Sequence, residues 1–280
     1  MKKIGLYYLA IAAAMFVAGC GSNSPQEAPD WTETAEDTTA EGVKLLESIC
    51  DKKGEVIMQF EYDEQNRLVS IIHAEGYGET KISYTDKRIT VENKADQQQF
   101  RYYNIKDNKV TFKLDLGSGE RLETYKIDKQ GYLLSYKSGL RTGCGDYDEE
   151  ADAFKEAPYL VEYQYEKGNL ITVSDNAGDC EYYAGGSGGY KYDDKLSPFT
   201  NCKSPKWLLQ ILIDDFYASK NNITEHSEGH DNFILLLYKY VYDKDGFPVR
   251  KTTKLSKESV DAGDYMMFDG DVVQFVYVKK

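Results

Sequence analysis

The chain has 280 residues, with 34 lysines and arginines against 47 aspartates and glutamates, for a formal net charge of −13. That balance, with no clustered run of cations, excludes a nucleic-acid binder of the usual kind, whose phosphate contacts need grouped positive charge. Hydrophobic residues make up 41%, and 24 tyrosines against 6 prolines exclude a broadly disordered chain. The length is enough for one large β domain with a core that needs no metal or disulfide.

Lys2 and Lys3 precede an apolar run from Ile4 to Val17, and the small residues Ala18 and Gly19 stand before Cys20. This is the order of a charged n-region, an apolar h-region and a small-residue cleavage site, so residues 1–19 read as a signal peptide. The run is shorter than the ~20 residues of a spanning helix. Val17-Ala18-Gly19-Cys20 resembles the bacterial lipoprotein box, which implies lipidation of Cys20 as the first mature residue. Several acyl chains at ~0.8 kcal/mol per buried methylene anchor a protein stably to a membrane without inserting it. Cleavage removes two lysines with residues 1–19, taking the chain from 280 residues and −13 to 261 residues and −15. Residues 20–41 then read as a lipidated tether: acidic, without basic residues or apolar periodicity. Twenty such residues reach on the order of 25 Å. Gly21 after the cysteine, with the first carboxylate at Glu27, points to the outer membrane and its periplasmic face.

Residues 42–280 read as a single β domain. Val43–Ile49, Glu55–Tyr62 and Arg67–His73 are three strands, separated by the turns Asp51–Gly54 and Asp63–Asn66. In the second, Val56, Met58, Phe60 and Tyr62 alternate with Glu55, Gln59 and Glu61, giving one dry and one wet face. A tyrosine or isoleucine leading into an Asp- or Asn-containing turn recurs at 62, 84, 105 and 127, at spacings of 22, 21 and 22 residues. Looser copies begin at Tyr165, Tyr192 and Tyr242. A period of that size marks a repeated hairpin. Asp, Asn and Gly accept the tight dihedrals of its turn.

Two segments interrupt the hairpins. Gly139–Pro158, with the acidic run Asp146–Asp152, reads as a loop. Ser204–Ser219 reads as a helix capped by Ser204, with Pro205 in its first turn and an apolar stripe that includes Trp207, Leu208, Ile211 and Leu212. Phe233–Tyr242 is apolar on both faces, as a central strand is, and Val272–Val278 closes the domain. The fold class expected is all-β: an antiparallel meander of about fourteen short strands curled into a partly open barrel, with one packed helix on its dry side. Strands of this length carrying charges on the face lipid would touch argue against a barrel that crosses the membrane.

Cys50, Cys144, Cys180 and Cys202 remain after cleavage; their even number in an exported chain permits two disulfides in any of three pairings, with free buried thiols as the alternative. No C-x-x-C spacing supports zinc. His226 and His230 sit around Gly229 in what reads as a polar loop, and the run Asp146–Asp152 lacks the glycine that a calcium loop needs, so no metal and no cofactor is expected. No nucleophile elbow or phosphate loop occurs, and Gly185–Gly189 reads as a hairpin tip. The pairs Tyr102-Tyr103, Tyr182-Tyr183 and Tyr238 with Tyr240 put rings on one or both sheet faces, as cross-strand packing or as a binding surface.

The Tyr62-Asp63-x-x-Asn66-Arg67-Leu68 element, its lead-in at 43–49 and its imperfect repeats resemble a lipoprotein domain of unknown function with a porin-like fold, found in gut Bacteroidetes. The resemblance covers roughly residues 43–280 and implies a fold and an envelope location, with no catalytic residues to carry over. The expected function is therefore a non-enzymatic, outer-membrane-anchored lipoprotein that binds a glycan or an envelope protein. The alternative is a polysaccharide-acting hydrolase.

Overall fold

The computed structural model describes residues 42–74, 78–93, 99–115, 120–141, 147–148, 153–154, 157–176, 187–213, 218–228, 234–257 and 271–280. The signal, the tether, Cys144, Cys180, Tyr182, Tyr183, His230 and most of the acidic run lie outside these residues.

Nine strands follow one another in a meander: β1 Lys44–Cys50, β2 Val56–Tyr62, β3 Leu68–His73, β4 Glu79–Tyr84, β5 Arg88–Asn93, β6 Gln99–Lys106, β7 Lys109–Asp115, β8 Glu120–Ile127 and β9 Leu133–Arg141. A small hairpin, β10 Tyr147–Asp148 with β11 Ala153–Phe154, stands apart within the segment expected to be a loop. The meander resumes with β12 Ala157–Glu166, β13 Asn169–Asp175 and β14 Ser187–Tyr192. After the helix α1, Lys206–Leu212, come β15 Ile223–Glu228, β16 Ile234–Tyr242, β17 Pro248–Leu255 and β18 Val272–Lys279.

All the long strands pair antiparallel, and β18 returns to β1, so sixteen strands form a closed barrel. This corrects the expectation of about fourteen strands and a partly open barrel. The extra strands come from Ser187–Tyr192, Ile223–Glu228 and the long pairs around them. Closure is completed by two backbone bonds between Val43 and Lys280, at 2.8 and 3.0 Å, which leave no edge to cover.

The aspartate-led turns work by one device. Asp51, Asp63, Asp128 and Asp243 each accept, on Oδ1, the backbone N–H groups two and four residues on, at 2.8–3.0 Å. The fourth residue of each turn, Gly54, Asn66, Gly131 or Gly246, takes a positive φ of 61–86°. Glycine meets that demand without a Cβ penalty, and asparagine tolerates it best among the rest.

A barrel of this strand number is wider than side chains alone can fill. Here the long connection between β14 and β15 returns into one end as a plug. Its backbone is tied to three turns at that rim: Lys203 N–H to Asn66 O at 2.9 Å, Trp207 N–H to Gly131 O at 2.8 Å, and Lys220 N–H to Gly168 O at 2.9 Å. Phe199 meets Phe60 edge to face at 5.2 Å, and Trp207 packs on Tyr103 and Tyr125. One continuous hydrophobic core joins the plug to the inward side chains of the strands.

The helix is shorter than expected: seven residues, not sixteen. Pro205 takes the cap position, with φ −53 and ψ 138, rather than the first helical position. Ser204 does not cap the helix. Its hydroxyl accepts the Leu68 N–H and bonds the Tyr84 hydroxyl, each at 2.8 Å, because the rim strands use it to hold the plug.

Two further expectations change. His226 lies within β15, its ring stacked on Tyr190 at 4.7 Å, not in a loop. Ser187–Gly189 are ladder residues of β14, not a hairpin tip, since the strand is crowded there: a Cβ on Gly189 would lie 2.8 Å from Ser227 Oγ.

Candidate functional site: an aromatic and basic outer face

Among the described residues, the interior holds a buried charge cluster on β8 and β9. Glu123 on β8 is 0% exposed; it accepts hydrogen bonds from Arg121 Nε and, at 2.5 Å, from the Tyr136 hydroxyl. A bulge on β9 opposite Pro158–Leu160 makes room for the arginine stem, since a Cβ on Gly139 would lie 2.4 Å from Arg121 Cγ. Next to it, the Tyr136 and Tyr159 rings meet edge to face and the Tyr159 hydroxyl bonds Asp175 Oδ2 at 3.0 Å. A glycosidase needs two carboxylates facing each other across an accessible bond. Glu123 is sealed in the wall and tied to a guanidinium, so this cluster serves the fold.

Several other inward groups are tied into the fold. The hydroxyls of Tyr62 and Tyr84 donate to Leu46 O and Leu68 O, at 2.8 and 2.7 Å. Burial pushes the Tyr103 and Tyr125 phenols above their ordinary range and pulls the His73 imidazole below its own. Cys50, on β1, and Cys202, in the plug, are buried free thiols. Burial raises the Cys202 thiol further.

The outward face carries mostly polar and charged side chains, with Val241 and Val276 among its exposed apolar residues. On β2, Gln59 and Glu61 point out between the core residues Met58, Phe60 and Tyr62. A charge on a lipid-facing position is destabilising near the middle of a bilayer, by about 2–4 kcal/mol for a lysine or arginine and less for a glutamate such as Glu61. No described helix is long and apolar enough to cross a membrane.

One region of that face is different. On β6, Phe100 and Tyr102 both point outward, each 47% exposed, with rings stacked at 6.1 Å and 7° between planes. The Arg88 guanidinium lies 5.6 Å from the Tyr102 ring centre and its Nε donates to Asn104 Oδ1 at 3.0 Å. Leu122 on β8, 55% exposed, stands opposite Lys113 of β7. The pair Tyr102-Tyr103 is thus divided by strand alternation, one ring outside and the other 1% exposed inside. Tyr238 and Tyr240 both face inward and join or pack on the core.

No contiguous sequence feature marks this face. Its cations, Arg88, Lys106, Lys109, Lys113, Lys126 and Lys137, are spread over fifty residues and four turns. They converge only through the register of β5–β9. The one local signal is Lys106-Asp107-Asn108-Lys109, whose two-residue turn sets two lysines directly opposite.

No protein-family model and no curated protein matches the chain. Solved structures do. A porin-like protein from Bacteroides uniformis is 13% identical over 79% of this chain and 89% of that one, with a TM-score of 0.48. A porin-like protein from Bacteroides vulgatus is 12% identical over 84% of this chain and 99% of that one, with the same TM-score of 0.48.

Proposed function

We propose that the protein is a non-catalytic glycan-binding barrel, anchored by a lipid on Cys20 to the outer membrane and displayed on its periplasmic face. The observation that carries this reading is the outward, half-exposed stack of Phe100 and Tyr102, with the Arg88 guanidinium and the Asn104 amide beside it. Aromatic rings bury large areas of an apolar sugar face at little cost in rotamer entropy, while neighbouring hydroxyl, amide and guanidinium groups satisfy its hydroxyls. Asn104, Arg88 and Thr90 stand around the pair in that role.

Isothermal titration against a panel of envelope and plant polysaccharides is the test. At least one glycan should bind, and Phe100→Ala with Tyr102→Ala should weaken it about tenfold or more while the melting temperature stays put. Turnover of a polysaccharide by the purified chain would overturn the reading. Anchoring is tested apart from binding: Cys20→Ala should move the protein from the membrane to the soluble fraction.

A further inference from the structure

Resting on the glycan-binding reading, we infer that the ligand is an anionic polysaccharide, seated across the outward face of β5–β9 with its acidic groups on a lattice of lysines. Register places these cations in rows. Lys106 stands opposite Lys109, and Lys109 opposite Lys126, so three ammonium groups follow one another across β6, β7 and β8. The next row along the strands runs Arg88, Asn104, Thr111, Thr124, Lys137. The row after it holds Tyr102, and the one beyond holds Phe100 opposite Glu92.

Like charges directly opposite on a sheet are destabilising, and sheets ordinarily intersperse the two signs. Elsewhere on this barrel that is done: Lys191 pairs with Glu225 at 2.6 Å, and Lys81 lies 3.8 Å from Glu79. Lys106, Lys109, Lys126 and Lys137 are all exposed, and none forms an ion pair with a described carboxylate. Of the β5–β8 residues whose side chains are described, Glu92 is the one outward carboxylate; the register sets Asp115 and Glu120 opposite each other at the end of β7 and β8 away from the lysine row. Six outward cations thus gather in a chain whose net charge is −13. Strand spacing of ~4.8 Å puts successive lysines about one sugar unit apart. The row therefore fits a polymer with a charge on each unit or on alternate units, while the ring stack beside it takes the apolar face of a sugar.

Alternative polyanions differ in what they ask of the aromatics. A flat lipid surface would meet the convex barrel wall at few lysines. A polysaccharide can follow the curved row and still reach the rings.

The test titrates the full-length chain with polygalacturonate, heparin, neutral dextran, phosphatidylglycerol vesicles and a single-stranded oligonucleotide. We expect polygalacturonate or heparin to bind, the affinity to fall steeply as salt rises, and Lys106→Gln/Lys109→Gln/Lys126→Gln to weaken it tenfold or more. Lys191→Gln, on the far side, should leave it unchanged, and melting temperatures should show every variant folded. If dextran binds as tightly and the triple variant is indifferent, the anionic inference fails while glycan binding stands. Binding of vesicles or oligonucleotide with no polysaccharide bound overturns it, and binding of nothing overturns both readings.

Discussion

The Trp207 indole lies 5.4 Å from the Tyr103 ring, centroid to centroid, at 59° between planes, and both side chains are 1% exposed. One belongs to the plug and the other to the inward face of β6, so this contact joins the inserted segment to the wall that carries the outer aromatic stack. Trp207→Ala should open a cavity at that junction and cost about 3–5 kcal/mol. For a domain of this size that is a fall of roughly 10 °C in melting temperature. Thermal unfolding followed by circular dichroism checks it. An unchanged transition would mean that the plug adds nothing to the barrel.

Arg121 and Glu123 are coupled through burial. Removing the cation alone, in Arg121→Met, strands a carboxylate that is 0% exposed and should cost about 3–5 kcal/mol. The double variant Arg121→Met/Glu123→Gln should recover much of that loss, because no unpaired charge is left inside. Urea unfolding of the three proteins gives the coupling, and equal losses in the single and double variants would refute it.

Ser204 holds the plug to two strands at once. Ser204→Ala leaves the buried Leu68 N–H without its partner and the Tyr84 hydroxyl with one bond fewer, for a loss of about 1–3 kcal/mol. Since Tyr84 still donates to Leu68 O, the strand register should survive. Hydrogen exchange should quicken at Leu68 while the barrel's strand content stays the same.

His73 predicts a dependence on acidity. Burial holds its imidazole below the ordinary histidine range, so the unfolded chain takes up the proton first. Its stabilising effect is complete above the unfolded value of about 6.5 and is lost as pH falls through that value towards the depressed folded one. Stability should therefore decline from pH 7 to pH 5, and His73→Gln should flatten that part of the profile. A variant with the same slope as the parent would assign the dependence elsewhere.

Cys202 should resist alkylation in the folded protein. It is 4% exposed and its thiol is pushed up by burial, which leaves little thiolate to react. Peptide mass spectrometry after iodoacetamide treatment should find Cys202 unmodified until denaturant is added.

Much of the architecture was legible in the residues. Met58 to Tyr62 shows its dry and wet faces by alternation, although Val56, expected on the dry face, is 47% exposed; the Asp63–Asn66 turn announces itself through an aspartate that can cap two N–H groups and an asparagine that tolerates positive φ. These are local properties, settled within five to eight residues. The strand count fell short where the signal was not local. Gly188 and Gly189 look like a loose tip, yet they are ladder residues whose missing side chains make space for Tyr190 and Ser227.

The candidate site lay further from view. Sequence alone determined that β2 has a dry and a wet face, that the hairpins are antiparallel, and that the chain as a whole is acidic. Only the tertiary structure decided that the sheet closes through β18 onto β1, that the connection between β14 and β15 plugs one end of the barrel, and that Lys106, Lys109 and Lys126 stand in one row. The reason is physical: alternation along a strand follows from backbone geometry at each residue. Neighbourhood across strands depends on a register that bulges and turns fix one pair at a time, so a strongly basic face can form in a chain with no basic run.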